Sequence, residues 1–239
     1  MNWRALIVKA AAVFGLAFAA PAAAEPIMLD SASVGDSFTV GFDGFVDGGS
    51  SLEGLSSEIT LTLDSIVNGV YNFSYSVTNT GSTTDGVSSR VSSFAFNTNP
   101  DITGASSTGT YAFTNTDSNY PNGIGRVDVC FQGTNTGSCA GGGSAGLFDG
   151  ETGTGTLSLD FGTAPASLTL DDFYVRYQSV SGLGDVTSAS GRQTSTSGGT
   201  DVPAPGMMLL FALATLALFA GTRRRRFAMP QTAPALAYA

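Results

Sequence analysis

The chain has 239 residues, no histidine and a formal net charge of −9 at pH 7. All nineteen acidic residues lie between Glu25 and Asp201, where the only basic residues are four arginines, so this segment carries a formal charge of −15. That charge repels nucleic acid and anionic lipid, and we expect no nucleic-acid partner. Without histidine, the Ser-His-Asp and Cys-His catalytic relays are excluded.

Residues 1–24 are ordered like a secretory signal peptide. Two basic residues precede a short apolar stretch, residues 10–20. Small residues at Ala22 and Ala24 predict cleavage after Ala24, which makes Glu25 the mature N-terminus. The alternative is a first membrane helix, but this stretch breaks at Pro21, before the about 20 apolar residues that span a bilayer.

Apolar and polar residues alternate in the following body, and no helical periodicity appears there. The alternation is typical of strands with one buried and one solvated face. It predicts an all-β domain over residues 25–181, an antiparallel β-sandwich or jelly roll, with a closed barrel as the alternative. The alternating runs are residues 38–42, 59–63, 71–77, 127–131, 157–161 and 173–177.

An Asn-Gly pair, Asn68-Gly69, separates two of these runs. A two-residue turn would set Asp64 opposite Phe73 and place polar residues on the buried face. A three-residue loop with a bulge and a positive φ at Gly69 sets Leu63 opposite Phe73 instead, and keeps the apolar residues on one face. The sequence therefore predicts the three-residue loop.

The chain has two cysteines, Cys130 and Cys139, both in the segment expected to be exported. In an oxidising compartment two nearby cysteines pair, so we predict a disulfide. Two thiols alone do not complete a tetrahedral metal site. Residues 141–146 match G-x-G-x-x-G but lack the preceding strand and following helix of a dinucleotide site, and they are interpreted as a flexible loop. Residues 182–201 are rich in Gly, Ser and Thr, which predicts a linker.

Carboxylates and tyrosines are the candidate ligand groups of the body. The candidate calcium ligands lie in Gly-rich turns, where solvated carboxylates are the alternative; apart from calcium, no cofactor is expected. Glycan binding could use tyrosines, although no Trp remains after signal-peptide cleavage. The candidate calcium ligands are Asp43, Asp47, Asp149 and Glu151. The candidate tyrosines are Tyr71, Tyr75, Tyr120, Tyr174 and Tyr177.

The body offers little for catalysis. Asp171-Asp172 is the obvious carboxylate pair for glycoside hydrolysis. Neighbours on a strand point to opposite faces, so the pair is interpreted as a turn at the start of a strand. We therefore expect a protein that is not an enzyme.

The C-terminal region, residues 202–226, combines a proline pair, an apolar stretch and four arginines. Residues 206–221 would form about 24 Å of helix, and the hydrocarbon core is about 30 Å thick. We expect a transmembrane helix whose arginines face the cytoplasm with the short tail, residues 227–239. The signal residues are Val202, Pro203, Ala204, Pro205, Gly206, Arg223, Arg224, Arg225 and Arg226.

This order of Pro-x-Pro, apolar helix and arginine cluster resembles the PEP-CTERM sorting signal of Gram-negative bacterial exoproteins. The family usually has Glu between the prolines, where this chain has Ala204, and usually ends at the arginines. The resemblance implies recognition and removal of the tail by an exosortase-like membrane transpeptidase. An ordinary tail anchor that stays in the inner membrane is the alternative.

Four segments of the body are similar to the cistern subgroup of that family: residues 89–94, 119–123, 129–131 and 173–178. The resemblances imply export across the inner membrane, passing contact with that membrane, and a place at the cell surface or in the extracellular matrix. They imply a structural or adhesive role, with exopolysaccharide as a partner. The alternative is a calcium- or glycan-binding β-sandwich module.

Overall fold

The computed structural model describes residues 24–82, 86–140 and 143–198. Of the predicted signal-peptide cleavage residues, Ala22 lies outside these ranges. The predicted sorting signal, its transmembrane helix and the tail 227–239 also lie outside them. Among the described residues, no helix is long and apolar enough to span a membrane.

The described chain consists of strands, turns and short 3-10 segments. The 3-10 segments are Ser31–Ser33 and Gly109–Tyr111. The strands are β1 (Ile27–Leu29), β2 (Ser37–Phe42), β3 (Ser57–Val67), β4 (Val70–Asn79), β5 (Ser88–Asn99), β6 (Gly104–Ser107), β7 (Phe113–Tyr120), β8 (Gly125–Gln132), β9 (Leu147–Phe148), β10 (Thr152–Asp160), β11 (Leu168–Ser181) and β12 (Ser188–Gly198).

These strands form one antiparallel sheet with the order β6-β10-β4-β3-β2-β12-β11-β5-β8-β7, while β1 pairs with β11 and β9 with β5. The two ends of the sheet approach each other, since Ser107 Oγ of β6 and Thr114 Oγ1 of β7 lie 3.0 Å apart. The all-β, antiparallel prediction is confirmed. The sheet is single and nearly closed into a barrel.

Tyr111 fills the core where the ends of the sheet meet. Its side chain is fully buried, and its ring centroid lies 5.4 Å from that of Phe94 and 6.1 Å from that of Tyr75. Its hydroxyl donates to Val91 O at 2.9 Å, and its amide donates to the Tyr75 hydroxyl at 2.8 Å. A buried polar group needs such partners, so the tyrosine serves as both packing and polar link.

The predicted linker is wrong over residues 188–198, because these residues form β12. This strand pairs with β11 through Ser188 to Arg192 and with β2 through Gln193 to Gly198, so it joins the two halves of the sheet. The domain therefore continues past residue 181. Backbone pairing on both sides supplies the hydrogen bonds, and a strand of Ser, Thr and Gly needs no alternating apolar face for that.

The register predicted for the β3–β4 hairpin is confirmed for its apolar pairs. All six residues of these pairs are buried in the core, and each is at most 3% exposed. Gly69 has the predicted positive φ, at 85°. The pairs are Ile59 with Val77, Leu61 with Tyr75, and Leu63 with Phe73.

The predicted three-residue loop is wrong. Val67 pairs with Val70 across a two-residue turn, in which Asn68 also has a positive φ of 51°. The register shift lies between Leu63 and Ser65, so Asp64 is the extra residue inside the strand. A bulge in the strand corrects the facing of the apolar residues as well as a bulge at the turn would.

Candidate binding cleft

A cleft of about 450 Å³ opens on the outer side of β11 and β12. Its floor is residues 171–174 of β11 and residues 192–193 of β12. The turn between β7 and β8, residues 122–124, forms one wall, and Phe45 with Gly48 forms another. Segments far apart in the sequence therefore meet here, because β12 brings the loop before β3 next to β11.

Asp171 and Asp172 both line this cleft and lie inside β11, so their interpretation as a turn at the start of a strand is wrong. The register of β11 against β5 shifts between Asp171 and Tyr174, and Asp172 has a φ of 50°. Such a bulge breaks the alternation of side chains along a strand. Asn97 Nδ2 donates to Asp172 Oδ2 at 3.1 Å, and the Asp172 amide donates to Asp171 Oδ1 at 2.7 Å.

Tyr174 provides the aromatic surface of the floor. Its ring is partly buried and lies 6.1 Å from the ring of Tyr120. Burial raises the pKa of Tyr174, and the charges of Asp172 and Asp171 raise it further. Its hydroxyl therefore stays neutral at ordinary pH and can both donate and accept a hydrogen bond.

The other four candidate tyrosines are core residues. Tyr71, Tyr75, Tyr120 and Tyr177 are each at most 3% exposed. Their hydroxyls bond within the protein: that of Tyr71 donates to Pro165 O at 3.0 Å, and that of Tyr177 lies 2.8 Å from Ser57 Oγ. They cannot stack against a ligand, whereas Tyr174 can.

Arg192 is the basic residue of the floor, and Asp43 pairs with it from outside the lining. The guanidinium of Arg192 lies 4.5 Å from the centroid of the Phe45 ring and donates to Gly49 O at 2.7 Å. Its Nε is 3.4 Å from Asp43 Oδ2, and Ser51 Oγ also donates to that oxygen. Asp43, a candidate calcium ligand, is thus neutralised by a cation of the same chain.

The structure does not gather the four candidate calcium ligands. Asp149 accepts hydrogen bonds from the amide and hydroxyl of Ser89, and Glu151 Oε2 accepts from Phe148 N at 2.8 Å. Asp47 lies in a turn with a φ of 48°. Among the described residues, no three acidic, cysteine or histidine side chains are grouped to hold a metal.

The predicted disulfide between Cys130 and Cys139 is present, with a Cα–Cα distance of 5.9 Å. It ties β8 to the Gly-rich loop and packs on the outer side of the sheet with Ala95, Tyr120 and Val127. The buried Arg90 of β5 holds the same loop, because its guanidinium donates to Gly143 O at 2.7 Å and to Ala145 O. The part of the predicted flexible loop that is described is therefore held by an arginine.

Two buried arginines are the residues that the sequence reasoning missed. Arg90 and Arg176 are 5% and 9% exposed, and burial lowers the pKa of each guanidinium. Both lie in segments compared with the cistern subgroup, on the neighbouring strands β5 and β11. No sequence signal distinguishes these two, since Arg126 and Arg192, the other arginines of the body, lie in strands as well.

Comparisons with protein-family models, curated proteins and solved structures found no significant match to this chain. The resemblance to PEP-CTERM proteins therefore rests on the residues quoted for it above.

Proposed function

We propose that the protein is an exported surface or extracellular-matrix protein of a structural or adhesive kind. The observation that carries this proposal is the order of the C-terminal signals, from Pro203-Ala204-Pro205 through the apolar stretch to four arginines. An exosortase-like transpeptidase of the inner membrane reads this tail and removes it. The protein then lies at the cell surface or in the matrix, where exopolysaccharide is its expected partner.

The β domain supports this proposal by its chemistry. It has an internal disulfide, which persists in oxidising compartments. The strongly acidic body keeps exported copies soluble and repels anionic surfaces. In this role the domain acts as a rigid, nearly closed β-sheet unit with its apolar residues on the inside.

Replacement of the arginine cluster tests the sorting proposal. Serine at residues 223–226 removes the charges that hold the end of the helix in the cytoplasm, and should reduce tail processing. The control is a chain truncated after Arg226, which keeps the cluster and should be processed normally. Processing is followed by immunoblot in cells that contain an exosortase. Unchanged processing of the serine variant would mean that the arginines are not read.

Glycan binding in the cleft is the second candidate function. Sugar-binding sites combine an aromatic face with a few converging polar groups, and the floor offers Tyr174 beside Asp171, Asp172 and Gln193. The two carboxylates have no basic side chain within ion-pair distance among the described residues. We therefore propose a neutral glycan, since an acidic one would be repelled.

Calorimetry with a neutral and an acidic polysaccharide tests this candidate. Tyr174→Ala should weaken binding of the neutral chain by about 1 kcal/mol or more, roughly fivefold. The control is Phe148→Ala, because Phe148 is an aromatic with 54% exposure that does not line the cleft. Equal losses in both variants, or tighter binding of the acidic chain, would contradict the proposed site.

A further inference from the structure

The turn between β7 and β8 carries the second Asn-Gly pair of the described chain. Tyr120 pairs with Gly125 across it, and the φ angles of Asn122 and Gly123 are 60° and 80°. No atom beyond the adjacent residues lies within 4 Å of the position that a Cβ of Gly123 would occupy. The Cβ side of Gly123 is thus open, and Gly123 N donates no backbone hydrogen bond among the described residues.

Hydrogen-bond donors surround the side-chain oxygen of Asn122. The amide is assigned with its oxygen toward these donors, because the opposite orientation would set the donor Nδ2 against them. In this orientation Ser190 Oγ lies 2.9 Å, Ser190 N 2.8 Å and Arg176 Nη1 3.2 Å from Asn122 Oδ1. The Ser190 amide is shared with Phe45 O at 2.9 Å. The Ser190 hydroxyl has Pro121 O as its other acceptor, at the longer distance of 3.4 Å.

Arg176 is a buried cation without an anionic partner. It is 9% exposed, and no carboxylate among the described residues lies within ion-pair distance of it. Its Nε is buried and has no hydrogen-bond partner, while Nη2 donates to Ser188 Oγ at 3.2 Å. Burial lowers the pKa of Arg176, which is the direction expected when a charge is not compensated.

We propose that Asn122 is a site of intramolecular deamidation. The Gly123 nitrogen attacks Asn122 Cγ, loses its proton and forms a five-membered succinimide, while the side-chain nitrogen takes up a proton and leaves as ammonia. Water then adds to one carbonyl of the ring and breaks its C–N bond, which re-forms one amide of the backbone and leaves one new carboxylate. The net change is one water consumed and one ammonia released, with no oxidant or reductant.

The surrounding donors promote the first step. Attack on Cγ turns Asn122 Oδ1 into an oxyanion, and donors that already face this oxygen stabilise that charge without rearrangement. The Ser190 hydroxyl and the Arg176 guanidinium supply them. In the aspartyl product, the new side-chain carboxylate lies next to Arg176, which has no other counter-ion. The isoaspartyl product would lengthen the backbone of the turn, so ring opening to the aspartyl product is favoured.

The chain contains a matched control in the turn at Asn68-Gly69. That pair has the same signs of φ, 51° and 85°, and the side chain of Asn68 is exposed. The hydrogen bonds of the described residues include none to the Asn68 side chain. Both pairs share the dipeptide and the signs of φ, and only Asn122 has the donors. They differ also in turn length, with two residues between the paired positions at Asn68 and four at Asn122, and in the packing of Gly69 against Gly162, so the Ser190 variant below isolates the donors.

The test is peptide mapping by mass spectrometry of the folded protein during incubation, with the same measurement in urea as the reference for intrinsic rates. After division by the rates in urea, Asn122 should deamidate several-fold faster than Asn68. Its native product should be mostly aspartyl, whereas the unfolded chain gives both products. A normalised rate at Asn122 equal to or below that at Asn68 would overturn the proposal.

Ser190→Ala tests the role of the donors. Loss of one oxyanion donor lowers rates by on the order of 10² to 10³ in preorganised sites, so we expect at least a tenfold slower reaction at Asn122. The rate at Asn68 should stay the same, which also reports that the variant is folded. An unchanged rate at Asn122 in the folded variant would exclude the hydroxyl as a promoter. If the variant unfolds, the comparison of Asn122 with Asn68 in the unaltered chain still decides the proposal.

Discussion

Substitution of Gly69 tests the hairpin geometry and the packing behind it. Gly69 has a φ of 85°, so any Cβ brings left-handed strain. An added Cβ would also lie 2.9 Å from the carbonyl carbon and 3.0 Å from the oxygen of Gly162, and 3.1 Å from Thr163 N. These neighbours are backbone atoms, which cannot rotate away as a flexible side chain would.

The two costs can be separated with a second glycine. Gly162 has a φ of 70°, but a Cβ there would meet nothing within 4 Å. Gly162→Ala therefore measures the strain alone, about 1–2 kcal/mol. Gly69→Ala adds overpacking of about 1–3 kcal/mol, which gives roughly 2–5 kcal/mol in total.

Urea unfolding followed by circular dichroism measures both variants. We expect Gly69→Ala to lower the free energy of unfolding by more than Gly162→Ala, and Gly69→Val by at least as much as Gly69→Ala. Equal losses for the two alanine variants would show that the close approach of the turn to residues 162–163 is wrong. A loss well below about 1 kcal/mol for both would refute the strain argument itself.

Three further predictions concern the whole domain. Burial raises the pKa of Tyr111 and Tyr177, so the folded state favours their neutral phenols. The free energy of unfolding should therefore be constant below the ordinary tyrosine pKa of about 10 and fall as the pH rises above it. Unfolding curves measured at several pH values would check this. The denatured, unreduced protein should show no free thiol, and reduction of Cys130–Cys139 should lower the free energy of unfolding by about 2–3 kcal/mol. Calcium or a chelator should leave the melting temperature unchanged, because both oxygens of Asp149 already accept hydrogen bonds, and a clear rise with calcium would contradict this.

The sequence pattern predicts the paired apolar residues because a slip of one residue turns every side chain to the other face. That argument requires a bulge between Leu63 and the turn but does not decide its position. The bulge lies at Asp64, where Ser74 Oγ donates to Asp64 Oδ2 at 2.7 Å. This partner on the opposite strand could not be seen in the sequence.

The strand β12 escaped prediction for a different reason. Its buried residues are small, Ala189, Ser190 and Gly191, and they give no apolar alternation. A Cβ at Gly191 would meet Asp43 O and the side chain of Val175, so glycine is needed there for close packing rather than for flexibility. Composition alone cannot distinguish these two uses of glycine.

The cleft depends on β12 and was therefore hidden as well. Of the residues singled out in the sequence, the structure brings together Asp171, Asp172 and Tyr174, and it adds Arg192 from β12. The bulge that places both aspartates in one cleft is again a local break in alternation. Long-range pairing of strands decides which turns meet, and single-sequence patterns contain no information on it.

The intact mass of the protein recovered from the surface of its own cells tests export and sorting most directly. We predict a chain that begins at Glu25 and ends before Arg223. Protease added to whole cells should also degrade the β domain, because it lies outside the cell. A chain that still contains residues 10–20, or one that keeps Arg223 to Arg226 and stays in the inner membrane, would contradict the account.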